Sequence, residues 1–131
     1  MKLNHLNLTV NDVPGALSFF ETYFGLESYL QIGKGFAGLT DDDGFLLNLS
    51  HGREVHYPDT FHVGFPQETE EEVNRLNKRL KDNGFNVESP ALSHGSYTFY
   101  YHTDYGFTVE VFCLIPGVDA TDGVRPSFGK R

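Results

Sequence analysis

Hydrophobic and polar residues alternate along several short stretches of the chain, a pattern typical of β-strands with one buried face. In residues 3–10 the aliphatic positions are Leu6, Leu8 and Val10, and the polar positions are His5, Asn7 and Thr9. The run from Tyr97 to Cys113 holds two further β-branched and aromatic stretches, joined by an Asp-Tyr-Gly turn. Glu110 falls in the middle of the second stretch, where a carboxylate must reach water or find a cation, because burying it unpaired is costly.

Two other stretches place hydrophobic residues at helical spacing. The first follows the capping pair Asn11-Asp12 and stops at Gly25. The second starts at Thr69, where Glu72 completes a capping box, and stops at Asn83-Gly84. Short strands are predicted at residues 27–32, 35–39 and 44–50 after the first helix, and at residues 86–88 after the second. The order strand, helix and three strands therefore occurs twice.

The two halves are copies of one unit. Residues 44–50, Gly-Phe-Leu-Leu-Asn-Leu-Ser, correspond to residues 106–112, Gly-Phe-Thr-Val-Glu-Val-Phe, and residues 4–8 correspond to residues 61–65. Each copy carries a histidine early and a polar residue late. We predict an α+β fold of two βαβββ units over residues 1–115, followed by a C-terminal tail, residues 116–131, to which no element is assigned.

Length and composition limit the classes of function. A chain of 131 residues suits one domain. The formal net charge of −8 argues against nucleic acid and anionic membranes as partners. No apolar run approaches the roughly 20 residues that span a bilayer, and the first residues form a strand pattern and no signal peptide. The single cysteine, Cys113, excludes an internal disulfide. We therefore expect a cytoplasmic protein that acts on a small molecule.

The duplicated unit gives matching polar positions, His5 with His62 and Asn48 with Glu110. If the units pair about a pseudo-two-fold axis, all four side chains point into one concave face. Two imidazoles and one carboxylate form an arrangement that holds a divalent ion and leaves coordination positions open. Such an ion would act as a Lewis acid on a bidentate oxygen ligand. Fe, Mn, Zn and Ni all remain candidates for the ion.

Three segments carry a resemblance to a known family. They are Asn4-His5-Leu6-Asn7-Leu8 with Asn11-Asp12, Phe61-His62-Val63-Gly64-Phe65, and the run from Phe99 to Glu110. These resemble the vicinal oxygen chelate superfamily of glyoxalases, bleomycin-resistance proteins, extradiol dioxygenases and fosfomycin-resistance transferases, over residues 3–114. The resemblance implies a mixed sheet with a concave cleft, and metal ligands at His5, His62 and Glu110. It also implies a homodimer whose sites combine units from two chains.

Departures from the family patterns bear on the reaction. Asn48 stands where glyoxalase I enzymes have a carboxylate, and an amide is no general base. Residues 91–96 contain no Lys or Arg where fosfomycin transferases bind phosphonate, so only Tyr100 is carried over from that pattern. His94 is a candidate for the additional histidine of extradiol dioxygenases, or a plain loop residue. Phe45 is a candidate for an apolar pocket wall. The predicted substrate-binding residues are therefore Asn48, Tyr100, His94 and Phe45.

Two hypotheses from different classes follow. The first is a metal-dependent enzyme of lyase, dioxygenase or transferase type, favoured by the presence of all three ligand types. The second is a non-catalytic protein, like the bleomycin-sequestering members, that captures a cationic aromatic compound without a metal. The negative charge and the amide at position 48 favour the second.

Overall fold

The computed structural model describes residues 1–115, and the predicted tail at residues 116–131 lies outside the described residues. In chain order the elements are β1 (His5–Val10), α1 (Val13–Phe24), β2 (Glu27–Ile32), β3 (Phe36–Thr40), β4 (Leu46–His51), β5 (Val63–Pro66), α2 (Glu70–Asp82), β6 (Ala91–Ser93), β7 (Ser96–His102) and β8 (Thr108–Leu114). The predicted order βαβββ therefore occurs twice, as expected. Within the described part of the chain, no helix has the length and apolar character needed to cross a membrane.

The chain forms two compact units. Unit 1 contains Met1–Phe61 together with His102–Phe107, and unit 2 contains His62–Tyr101 with the described residues from Thr108 onward. Each unit has its own four-stranded mixed sheet, with strand order β1-β4-β3-β2 in unit 1 and β5-β8-β7-β6 in unit 2. In both sheets the first strand of the unit pairs in parallel with the last.

In unit 1 the aliphatic face of the sheet is covered by α1. The side chains at 0% exposure on this face are Leu8, Val10, Ala37, Leu39 and Leu49. Helix α1 starts where the Asp12 carboxylate accepts the backbone N–H of Gly15 at 3.0 Å, and it ends at Gly25 with φ +68°. The opposite face of the sheet carries the polar positions of β1 and β4, so the strands present amides and hydroxyls on the side away from α1.

In unit 2 the core lies between the sheet and α2. Val109 and Val111 of β8 and Leu80 of α2 are fully buried, while Glu110 and Phe112 of β8 are half-buried. The alternation predicted for the last strand is therefore confirmed at these positions. Thr69 caps α2 as predicted, since its Oγ1 accepts the N–H of Glu72 at 3.1 Å. The Glu72 carboxylate accepts the Thr69 hydroxyl at 3.2 Å.

The strand predicted at residues 86–88 is wrong. That segment is irregular, because the Glu88 carbonyl accepts a hydrogen bond from the Asn77 side chain at 2.6 Å, and Pro90 has no N–H to donate to a ladder. The third strand of the sheet is instead Ala91–Ser93, which forms a hairpin with β7. The two turn residues between them, His94 and Gly95, have φ of 50° and 72°, the positive values that a two-residue hairpin turn requires.

Candidate metal centre

His62 and Glu110 meet in unit 2. His62 lies directly before β5, whose parallel pairing with β8 places Gly64 opposite Glu110. Imidazole Nε2 of His62 is 3.2 Å from Oε1 of Glu110, and the side chains are 35% and 14% exposed. Two ligand atoms that each lie about 2.1 Å from one ion, at a right angle, are about 3 Å apart. The pair therefore has the donor types and the spacing of two adjacent ligands of a divalent metal.

The second oxygen of Glu110 is fixed by a neighbouring strand. Thr98, buried on β7, donates its hydroxyl to Glu110 Oε2 at 2.7 Å. Hydrogen bonds of this kind orient a ligating carboxylate and hold it in place for the ion. Thr98 therefore acts on the candidate centre through Glu110.

Tyr100 completes this group of side chains. Its ring stands edge-on to the His62 ring, with centroids 5.3 Å apart and planes at 88°. Burial raises the pKa of Tyr100 above 10.0, and the charge and hydrogen bonding of Glu110 raise it further. The phenol therefore keeps its proton at neutral pH and serves Glu110 as a hydrogen-bond donor.

His5 belongs to unit 1, at the start of β1. Its side chain is exposed, and Nδ1 lies 2.8 Å from Oδ1 of Asn4. When Nδ1 carries the proton it donates to Asn4, and Nε2 then offers its lone pair to a metal. Among residues 1–115, no group of three or more His, Cys, Asp or Glu side chains is assembled that could hold an ion. The structure thus brings together two of the three predicted ligands.

The four predicted substrate-binding residues lie in different settings. Asn48 is half-buried on β4, where its Oδ1 accepts the Tyr29 hydroxyl at 2.7 Å. Tyr100 contacts the His62–Glu110 pair as described. His94 is exposed in the β6–β7 turn. Phe45 is half-buried in the loop before β4, and its backbone N–H donates a hydrogen bond to Asp41 Oδ1 at 2.8 Å.

Thr98 and Tyr29 were not singled out from the sequence. Thr98 shares the period-two face of Tyr100, so strand alternation alone would have placed it on the polar side of β7. The clue to Tyr29 is weaker. Gly38 is the cross-strand partner of Asn48, and a residue without a side chain at that position leaves room for a ring from the neighbouring strand.

A family model matches residues 2–111 of the chain, which is most of the described range. Its description is the Glyoxalase/Bleomycin resistance protein/Dioxygenase superfamily. The chain belongs to this superfamily. No curated protein matches the chain. The fold agrees with this assignment, since each unit has the βαβββ order and an open four-stranded sheet that is consistent with a cleft.

Solved structures of the superfamily are similar to this chain. A possible glyoxalase from Bacillus cereus is 55% identical, with a TM-score of 0.81, covering 86% of this chain and 99% of that one. Lactoylglutathione lyase from Agrobacterium tumefaciens is 22% identical, with a TM-score of 0.70 and coverage of 86% and 92%. The fosfomycin resistance protein FosX from Listeria monocytogenes, complexed with Mn(II) and sulfate, is 18% identical, with a TM-score of 0.73 and coverage of 88% and 91%. The last two similarities concern the fold alone.

Proposed function

We propose that this protein is a metal-dependent enzyme of the superfamily, in which His5, His62 and Glu110 hold a divalent ion that binds vicinal oxygens of a small substrate. The observation that carries the proposal is the 3.2 Å approach of His62 Nε2 to Glu110 Oε1. Mn(II) in the FosX structure supports a divalent ion in this fold. Fe, Mn, Zn and Ni all suit two imidazoles and one carboxylate.

The residues of the chain fit this role by their chemistry. When bound, the ion would supply Lewis acidity that polarises a substrate oxygen. Thr98 and Tyr100 both donate hydrogen bonds to the Glu110 carboxylate. These bonds limit rotation of the carboxylate and replace hydrogen bonds that it would otherwise make with water. Tyr100 retains its proton, so it acts here as a donor that positions Glu110 or the substrate.

We further propose that the third ligand is His5 of the partner subunit in a homodimer. His62 and Glu110 supply two donors, one fewer than the three of a site with two histidines and a carboxylate. Members of the superfamily commonly form dimers, in which a second chain can supply the missing donor. A two-fold axis would create two equivalent sites per dimer.

Metal content after purification without chelator tests the first proposal. The wild type is expected to bind one equivalent of Mn(II) per chain by titration calorimetry. His5→Ala, His62→Ala and Glu110→Gln are each expected to lose it. His56→Ala is the matched control, because His56 is an exposed histidine of the segment between β4 and β5. Unchanged Mn(II) binding in all three ligand variants would refute the proposed centre.

Mixing two inactive variants tests whether the site spans two chains. His5→Ala and Glu110→Gln protomers, exchanged to a statistical mixture, form one intact site in each heterodimer if His5 comes from the partner. Metal binding should then return to about one quarter of the wild-type content. No recovery would place all three ligands in one chain, provided that subunit exchange is confirmed by mass spectrometry.

A second function is favoured by charge. The formal net charge is −8, and Asn48 replaces a carboxylate that the glyoxalase reaction uses as a base. A non-catalytic protein that captures a cationic aromatic compound without metal is compatible with both features. A metal-free preparation that binds a basic aromatic dye with unchanged affinity in Glu110→Gln would support this function over the enzyme. The cytoplasmic location remains a prediction of the sequence.

A further inference from the structure

Two asparagine side chains stand side by side on the open face of the unit 1 sheet. Asn7 of β1 and Asn48 of β4 are cross-strand partners in the parallel register. They alternate with Leu8 and Leu49, which are fully buried on the other face. Since neighbouring strands run about 4.8 Å apart, the two amides lie next to each other.

The oxygen of each amide is already engaged by a hydroxyl of the same sheet. The Tyr29 hydroxyl donates to Asn48 Oδ1 at 2.7 Å, and the Ser50 hydroxyl donates to Asn7 Oδ1 at 3.0 Å. Among the described residues, neither amide nitrogen has a hydrogen-bond partner. Each amide therefore keeps its two N–H donors for a ligand.

Gly38 permits this arrangement. It is the β3 partner of Asn48, and a Cβ at this position would lie 2.4 Å from two ring carbons of Tyr29. The Tyr29 ring thus lies against the glycine and brings its hydroxyl to Asn48. The sheet itself fixes the orientation of the amide, so the donors do not have to be ordered when a ligand binds.

We propose that Asn7 and Asn48 form a neutral donor pair that binds a carbonyl oxygen of the ligand. None of the eight strands found in residues 1–115 contains Lys or Arg, so the surrounding sheet offers no fixed cation to an anionic group. His5 lies two residues before Asn7 on the same face, about 7 Å away along the strand. Resting on the proposed function, the pair would hold the carbonyl of a substrate whose other oxygens bind the metal.

Proton–nitrogen correlation spectra of the metal-free protein test the pair without any activity measurement. The probes are N,N-dimethylacetamide, which only accepts hydrogen bonds, acetate, and guanidinium, which only donates them. Dimethylacetamide is expected to shift the side-chain NH2 signals of Asn7 and Asn48 saturably. Asn48→Asp keeps the acceptor for Tyr29 but removes both donors, and should weaken the effect at Asn7 at least about fivefold.

Asn74→Asp is the matched control. Asn74 also accepts a tyrosine hydroxyl, that of Tyr97 at 2.6 Å, but it lies on α2 in unit 2. This variant should leave the dimethylacetamide shifts at Asn7 and Asn48 unchanged. If Asn48→Asp and Asn74→Asp weakened the dimethylacetamide-induced shift of Asn7 equally, the proposal would be overturned.

Other outcomes are equally decisive. Absence of a saturable shift, or shifts with guanidinium alone, would show that the amides do not present donors and would overturn the pair. Tighter binding of acetate than of dimethylacetamide would overturn the assignment to a neutral carbonyl. Absence of Mn(II) binding by the wild type, with retained dimethylacetamide shifts, would refute the metal centre alone, so the two proposals fail separately.

Discussion

The tyrosine at position 57 closes the outer edge of β1, and its removal offers a direct test of the fold around the site. Tyr57 Oη accepts the backbone N–H of Thr9 at 2.8 Å and donates to the Thr9 carbonyl at 2.9 Å. Its ring stacks on Phe61, with centroids 4.4 Å apart and planes at 11°. Tyr57→Phe removes one oxygen and both hydrogen bonds, while the stacked ring is retained.

The expected loss follows from these two contacts. An intramolecular hydrogen bond contributes about 0.5–1.5 kcal/mol to the free energy of unfolding, so two contribute about 1–3 kcal/mol. The peptide of Thr9 is near solvent, and water can replace part of the loss. We expect a destabilisation of about 1–2 kcal/mol, or about 3–10 °C in Tm for a chain of this size.

Urea unfolding followed by far-UV circular dichroism measures the change, because the chain has no tryptophan. The slope of the transition should stay the same and only its midpoint should fall. Tyr97→Phe is the control, since it loses one hydrogen bond, to Asn74 at 2.6 Å. A Tyr57→Phe protein as stable as the wild type, or more stable than Tyr97→Phe, would refute the reasoning.

Three further predictions concern single side chains. Thr98→Val should weaken Mn(II) binding about tenfold by calorimetry, because Glu110 loses an orienting hydrogen bond, whereas Thr98→Ser should keep the wild-type affinity. Equal Mn(II) affinities of Thr98→Val and the wild type would exclude this role. His94→Asn should keep or raise thermal stability, and His94→Ala should lower it by about 1 kcal/mol, because φ is 50° there; the reverse order would contradict the turn geometry. Burial raises the pKa of the Cys113 thiol above 9.0, and the charges of Glu70 and Glu72 raise it further. The contribution of the protonated thiol to the free energy of unfolding is therefore complete below pH 9.0 and is lost as the pH rises through the folded-state pKa. Native Cys113 should resist a thiol reagent that labels it in urea, and rapid native labelling would contradict its burial.

The periodicity of the sequence alone determined most of the architecture. Alternation of aliphatic and polar residues located β1, and a cap, an apolar stripe and a stop glycine defined α1, since these signals act within a few residues. The internal repeat showed that His5 corresponds to His62, and Asn48 to Glu110. From this repeat, pairing of the two units about a pseudo-two-fold axis predicts one site for His5, His62 and Glu110, and the parallel pairing of β5 with β8 is what places His62 beside Glu110 in the structure.

Tertiary structure decided which polar groups touch each other. The sequence pattern predicted a strand at residues 86–88. In the structure the Asn77 side chain donates a hydrogen bond to the Glu88 carbonyl, a contact between residues 11 apart in the chain. Likewise, no local signal connects Tyr29 to Asn48, because that hydrogen bond depends on the register of three strands and on the space above Gly38. Periodicity fixes the face on which a side chain lies. The partner it meets there depends on the cross-strand register, which only the folded sheet defines.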